Sequence, residues 1–226
     1  MLKLIFAFAV LLNIVFYPGG LYTEEKGNSM GDRKENRLAL SASPYLRSAR
    51  YQPIDWYEFG EWAFARAKDM DRPILLDIGA VWCHWCHVMD EESYEDPEVA
   101  ELINKYFIAI KVDRDERPDL DRRYQEAVSA LTGQGGWPLT AFLTPEGKVF
   151  FGGTYFPPED KFGREGLKTL LPRIARLYRE ERSRVLATAE EHHRQLLGLA
   201  KTGTKAGALS PEQVDSLVKA LKEDFD

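Results

Sequence analysis

Residues 72–89 read RPILLDIGAVWCHWCHVM. This stretch holds both cysteines of the chain and two of its four histidines. Pro73 opens an apolar run, Ile74 to Ile78, with the length and composition of a buried strand. Ala80-Val81-Trp82 reads as a turn. The spacing beyond it predicts a helix that starts at Cys83 and ends near Glu92. A strand that hands a Cys-x-x-Cys pair directly to a helix is the start of an α/β arrangement. Three chemistries fit the letters. Trp-Cys-x-x-Cys is a redox dithiol, Cys-x-x-Cys-His is a covalent haem attachment, and cysteine with histidine is a metal knuckle.

Physical chemistry ranks the three. A bond between residues three apart closes a very small loop, which restricts the unfolded chain little, so a structural staple explains the pair poorly. For redox work the attacking thiol belongs at a helix N-terminus, where free backbone N–H groups favour the thiolate. Cys83 occupies that place. Cys86 lies one turn on, as the resolving thiol, and His84 adds a donor or positive charge beside Cys83. A haem would use His87, with Met89 or Met70 as second ligand, and needs a large apolar crevice. A closed zinc site wants four ligands. There is no third cysteine, and His192 and His193 are far away in sequence, on what reads as a charged, solvated helix face.

Asp77 favours the redox reading. It is a carboxylate inside an apolar strand, six residues before Cys83. Buried behind a dithiol, it would have a raised pKa and could relay a proton to or from Cys86. At a strand end it would be an ordinary half-exposed acid. Pro138 follows the loop GQGGW and precedes LTAFL. In the cis form it would expose the backbone of Trp137 beside the dithiol, where an extended substrate could add as a strand. Trp82, Trp85 and Trp137, with Tyr155 and Phe156, could line a groove for such a substrate. The same aromatics would also suit a peptide-binding scaffold with little redox turnover, or simply a core.

Outward from the dithiol the pattern alternates. Asp55 with Glu58 suggests a helix cap, followed by Phe59, Ala63 and Ala67 on one face through about Asp69. The preceding stretch, SASPYLRSARYQPIDW, reads as an extended segment laid on a core. Asp96-Pro97 starts a helix with the stripe Val99, Ile103, Phe107, and FIAIKVD is a second strand. A charge run leads into a helix near 120–131. LTAFL and KVFFGG are strands joined by the turn TPEG. A helical region spans about 165–198, with a bend expected at Pro172. Interleaved helices followed by an antiparallel pair predict an α/β fold with a central mixed sheet.

The flanks differ from this core. Residues 4–17, LIFAFAVLLNIVFY, follow Lys3 and resemble the apolar part of a signal peptide or a short anchor. The expectation is a leader or membrane tether over 1–22, a linker over 23–37, and an ordered domain over 38–198. Residues 199–226 then read as a second linker and the start of a truncated unit. Export would place the dithiol outside the cytoplasm; without export the chain is cytoplasmic. The net charge of -6 disfavours nucleic-acid partners. A dithiol exchanges electrons without a bound group, so no cofactor is expected, only a protein or small-molecule disulfide substrate and an electron donor or acceptor of unknown identity.

ILLDIGAVWCHWC resembles the thioredoxin superfamily stretch of strand, buried acid, tryptophan and redox Cys-x-x-Cys. KVDRDERPDLDRRY is similar to the next strand and helix, and GGWPLTAFLTPEGKVF to the cis-proline loop and terminal hairpin. SPYL, DWYEFGEWAFARAK, CHWCHVM, TGQGGWPLT and GGTYFPP, in that order, further resemble the family typified by spermatogenesis-associated protein 20 and its bacterial relatives. The resemblance covers about residues 38–198. It implies a thioredoxin-like fold and disulfide exchange through Cys83 and Cys86. It also implies that Asp77 is the buried acid, Pro138 the cis proline and Trp82 the active-site tryptophan. The dipeptide His84-Trp85 departs from the Gly-Pro of thioredoxins, as does Trp137 before the proline.

Overall fold

The computed structural model describes residues 34–161, 163–202 and 210–223. Two 3-10 turns, Arg37–Leu40 and Ala49–Tyr51, flank a short helix α1 (Pro44–Ser48). Ser43 caps α1, its Oγ accepting from the Leu46 N–H, and Pro44 takes the first helical position. Then come β1 (Tyr57–Glu58), α2 (Glu61–Asp69), β2 (Ile74–Gly79) and α3 (His84–Met89). A π turn, Asp90–Tyr94, extends α3. The chain continues through α4 (Pro97–Tyr106), β3 (Ile108–Asp113), α5 (Pro118–Thr132), β4 (Leu139–Leu143) and β5 (Val149–Gly153). Three helices follow: α6 (Leu167–Glu180), α7 (Arg182–Thr202) and α8 (Pro211–Glu223).

The five strands form one mixed sheet in the order β1-β3-β2-β4-β5. β2 runs parallel to β3, with Asp77 opposite Lys111, and antiparallel to β4, with Asp77 opposite Thr140. All six residues of β2 and of β3 are buried, as central strands covered on both faces must be. Side chains alternate across a strand, so β2 splits its residues between two cores. Ile74, Leu76 and Ile78 join Ala63 and Ala67 of α2 and Leu120, Tyr124 and Val128 of α5. Leu75 faces the other way, into a core shared by Tyr45, Trp56, Cys86, Met89, Ile103 and Leu170. By the same alternation Asp77 and Gly79 face that second core, the one that holds the dithiol.

The α/β reading with a mixed sheet holds, and several local expectations need correction. Asp55 does not cap a helix. Tyr57 and Glu58 pair with Ile110 and Lys111 as a parallel edge strand, which keeps this segment extended, and α2 starts only after Gly60. The segment before it is not extended; caps and prolines fold it into α1 and its flanking turns. Pro172 lies inside α6, which continues through it. The break comes at Glu181, where φ is -118° and ψ is 32°. His192 is not a surface residue. It is buried, with Nε2 at 2.9 Å from the Ala127 carbonyl, and it helps seat α7 on α5. Among the described residues no helix is long and apolar enough to cross a membrane. The apolar run 4–17, on which the leader and tether expectation rests, lies outside the described residues.

Candidate active site

Cys83 and Cys86 are joined as a disulfide, with Cα atoms 5.3 Å apart. Cys83 is the N-cap of α3 rather than its first residue. Its backbone is extended, its carbonyl accepts from the N–H groups of Cys86 and His87, and its Sγ accepts from the Cys86 N–H at 3.2 Å. The first sulfur therefore sits against the Cys86 N–H at the start of α3, which favours negative charge there once the bond opens. Exposure separates the two: Cys83 is 6% exposed and Cys86 1%. A Cys-His-Trp-Cys pair bonded at the end of a central strand of this fold is the redox motif of thiol–disulfide oxidoreductases. His87 Nε2 lies 2.7 Å from the Val81 carbonyl. Among the described residues no three His, Cys, Asp or Glu side chains are grouped to hold a metal ion.

Asp77 is 1% exposed, so it is not a strand-end acid. It belongs to a buried charge cluster. Lys111 Nζ lies 2.7 Å from Asp77 Oδ2 and 2.8 Å from Asp90 Oδ1. Tyr94 donates to Asp77 Oδ1 at 3.2 Å, and Gln52 donates to Asp90 Oδ1 at 2.9 Å while accepting from Trp56 Nε1. The rings of Tyr45, Trp56 and Tyr94 surround the ammonium, their centroids 5.0, 5.2 and 5.2 Å away. An ammonium held by two carboxylates and three ring faces stays charged despite burial, because each group replaces part of its lost hydration. Burial alone would lower the Lys111 pKa, but Asp77 and Asp90 together raise it well above its ordinary value. One ammonium cannot fully compensate two carboxylates. Burial raises the Asp77 pKa, Asp90 adds to the rise, and Lys111 only partly opposes it. The net effect is an Asp77 pKa raised above the ordinary carboxylate value. Lys111 was as legible in FIAIKVD as Asp77 was in ILLDIG, as a lone charge inside an apolar strand; its pairing appears only once β2 and β3 are placed in register.

The aromatic residues divide into two groups. Trp82 is exposed and donates from Nε1 to Asp115 Oδ2 at 2.9 Å. Its ring meets that of Trp137 at 5.8 Å, edge to face. Trp137 in turn donates to Asp121 Oδ1 at 2.8 Å, and the Arg114 guanidinium lies 4.5 Å above its ring. The Trp137–Pro138 bond is cis and leads directly into β4. On the other side, Trp85 packs on Tyr155 with centroids 5.3 Å apart. Tyr155 donates to Glu92 at 2.8 Å, and burial together with that carboxylate pushes its pKa up to about 12. Trp85, Trp137, Tyr155 and Pro157 line a cavity of about 510 Å³ with Glu92 and Arg164 at its rim. His84 is exposed beside Trp85, ring centroids 5.7 Å apart.

The chain is similar to known proteins. Residues 35–197 match the family model Thioredox_DsbH, described as a protein of unknown function, DUF255. Human spermatogenesis-associated protein 20 is 40% identical over 184 residues, 81% of this chain and 23% of that protein. An uncharacterised Caenorhabditis elegans protein is 42% identical over 194 residues, 85% of this chain and 26% of its own length. The chain thus spans about a quarter of the length of these relatives. Among solved structures, a DsbH oxidoreductase is similar with a TM-score of 0.37 and 19% identity, covering 55% of this chain and 82% of that one. A disulphide-isomerase described as putative, from Bacteroides thetaiotaomicron, gives 0.40 and 24%, covering 55% and 91%.

Proposed function

The chain belongs to the Thioredox_DsbH (DUF255) family, and on that premise we propose that it exchanges disulfides with protein or small-molecule substrates, Cys83 attacking and Cys86 resolving. The observation that carries this reading is the asymmetry of the bonded pair. Cys83 caps α3 among backbone N–H groups, whereas Cys86 is sealed behind it. In the reducing direction the Cys83 thiolate attacks a substrate disulfide and releases one substrate thiolate. Cys86 then attacks Cys83 Sγ, which releases the second substrate thiol and restores the Cys83–Cys86 disulfide. Asp77 is the proton store for the resolving step: it holds a proton more readily than a free carboxylate and faces the same core as Cys86. Trp85, Trp137 and Tyr155 form the wall against which the substrate segment lies, and the Trp137 backbone offers a strand edge to it. His84 and Trp82 border the approach to Cys83.

Turbidity from insulin reduction in the presence of dithiothreitol tests the activity. The wild type should accelerate precipitation and Cys83→Ser should be inert. Cys86→Ser should accumulate a mixed disulfide on Cys83, visible by peptide mass. If Cys86 alkylates before Cys83 as pH is raised, the order of attack is wrong. If neither cysteine forms a mixed disulfide, the redox reading gives way to a binding scaffold.

A further inference from the structure

Tyr45 is 1% exposed, and its hydroxyl is a buried polar group whose proton finds no acceptor among the described residues. The Lys111 ammonium lies close by, but an ammonium only donates. An orphaned buried hydroxyl costs about 1–3 kcal/mol, so its presence asks for a reason. Its location supplies one. A Cβ built on Gly79 would sit 2.1 Å from Tyr45 Oη and 2.9 Å from Cys86 Sγ, so hydroxyl and sulfur are no farther apart than those two distances together. Only glycine leaves room for both at the end of β2. Tyr45 is held there firmly: the Ser43 cap of α1 donates to Asp113 Oδ2 at 2.6 Å, which ties α1 to the end of β3.

We propose that the Tyr45 hydroxyl is the hydrogen-bond donor that stabilises the Cys86 sulfur when it leaves as a thiolate. This rests on the redox reading of the pair and adds to it the group that receives the departing charge. In the disulfide the sulfur is a weak acceptor and the proton of the hydroxyl goes unused. When an external thiolate attacks Cys83 Sγ, a new S–S bond forms to Cys83 and the Cys83–Cys86 bond breaks. Its electron pair stays on Cys86 Sγ. That anion is the acceptor the hydroxyl lacked, and a hydrogen bond to a charged group is about twice as strong as a neutral one. No proton is transferred. Burial pushes the Tyr45 pKa well above its ordinary value, with Lys111 only partly opposing, so the phenol keeps its proton and remains a donor.

Opening of the purified disulfide by dithiothreitol, quenched by alkylation and read by mass, tests this without any protein substrate. Tyr45→Phe removes only the oxygen. It should fold as well as the wild type, since the hydroxyl donates to no group in the oxidised form, and it should open about tenfold more slowly. Incorporation of 3-fluorotyrosine at position 45, a stronger donor of nearly the same shape, should speed opening, an effect opposite in sign that loss of packing cannot mimic. Equal rates for wild type and Tyr45→Phe overturn the proposal. If Tyr45→Phe fails to fold, a fluorotyrosine protein that opens no faster overturns it. A wild type that opens readily but leaves insulin intact would count against the proposed activity and not against the role of Tyr45.

Discussion

Asp77 shows how one residue couples the sheet to the chemistry. Its carboxyl sits 2.7 Å from the Lys111 ammonium, and Asp90 competes for the same cation. Burial, the largest influence, raises its pKa. A carboxyl whose folded pKa lies above its unfolded value, near ~3.9, binds more protons in the folded state. Its contribution to stability is fully present below the unfolded pKa and is lost as pH rises through the folded one. Asp77→Asn removes this loss. Asn keeps the shape and an oxygen for Tyr94, and Lys111 keeps Asp90. The urea midpoint of the variant should therefore gain on the wild type from pH 4 upward, as pH rises through the raised folded pKa of Asp77, and then level off, while resolution through Cys86 slows. A midpoint difference that stays constant across pH would mean that Asp77 binds its proton equally in both states. The exposed acids behave oppositely but weakly: the hydrogen bond from Arg117 holds Asp119 down to about 2, at a surface site screened by solvent.

At the level of elements, α4 is specified by its first residues. Asp96 Oδ1 accepts from the N–H groups of Glu98 and Val99, Pro97 holds the first helical position, and Lys168 of α6 bridges to Asp96 at 3.0 Å. Despite partial burial, these bonds lower the Asp96 pKa. Asp96→Ala should cost about 1 kcal/mol, read as a lower urea midpoint with an unchanged slope. Much of the cost should vanish in acid, where the wild-type cap is itself protonated. Caps, prolines and apolar periodicity of this kind made α4, β2, β3 and β4 legible in the sequence, because each element carries its own boundary signal. The elements that were missed depend on distant partners. Tyr57–Glu58 is a strand only because β3 offers an unpaired edge, and the place of α1 is fixed by Ser43 bonding to Asp113 seventy residues away. The candidate site divides in the same way. Cys83, Cys86, Asp77, Lys111 and Pro138 stand out as local anomalies, whereas the pairing of Lys111 with Asp77 and the parts played by Asp90, Tyr94 and Tyr45 come only from the register of β2 on β3 and the path of the chain before β1. His192 carried no signal at all, since the face of α7 that turns inward is set by α5 and β5.

For the whole molecule, the two cores make unequal claims on the chain beyond β5. The core under the dithiol needs α6, whose Leu167, Leu170, Leu171 and Ile174 are completely buried. The opposite face of the sheet needs α7. Val185 and Ala189 are buried, His192 meets the Ala127 carbonyl, Leu196 packs on the core of Ile74, Leu76 and Ile78, and Lys148 of the β4–β5 turn pairs with Glu190. The described residues of α8 are different, being exposed apart from the Ser210 that precedes it, with Val214 and Val218 at 44% and 45%. Fully burying one aliphatic side chain is worth about 1.5–3 kcal/mol. Removing residues 182–226 should therefore cost on the order of 5 kcal/mol, a large share of the stability of a domain this size. Removing residues 203–226 should leave stability within about 0.5 kcal/mol of the full chain. Thermal unfolding of the two truncations, each with the disulfide intact, gives the comparison. The dithiol lies on the other side of the sheet from α7, so the shorter chain, where still folded, should keep its rate of opening by dithiothreitol. Equal melting of the two truncations would show that α7 lies on the sheet without contributing to its stability, and would shrink the folding unit to the layers around the disulfide.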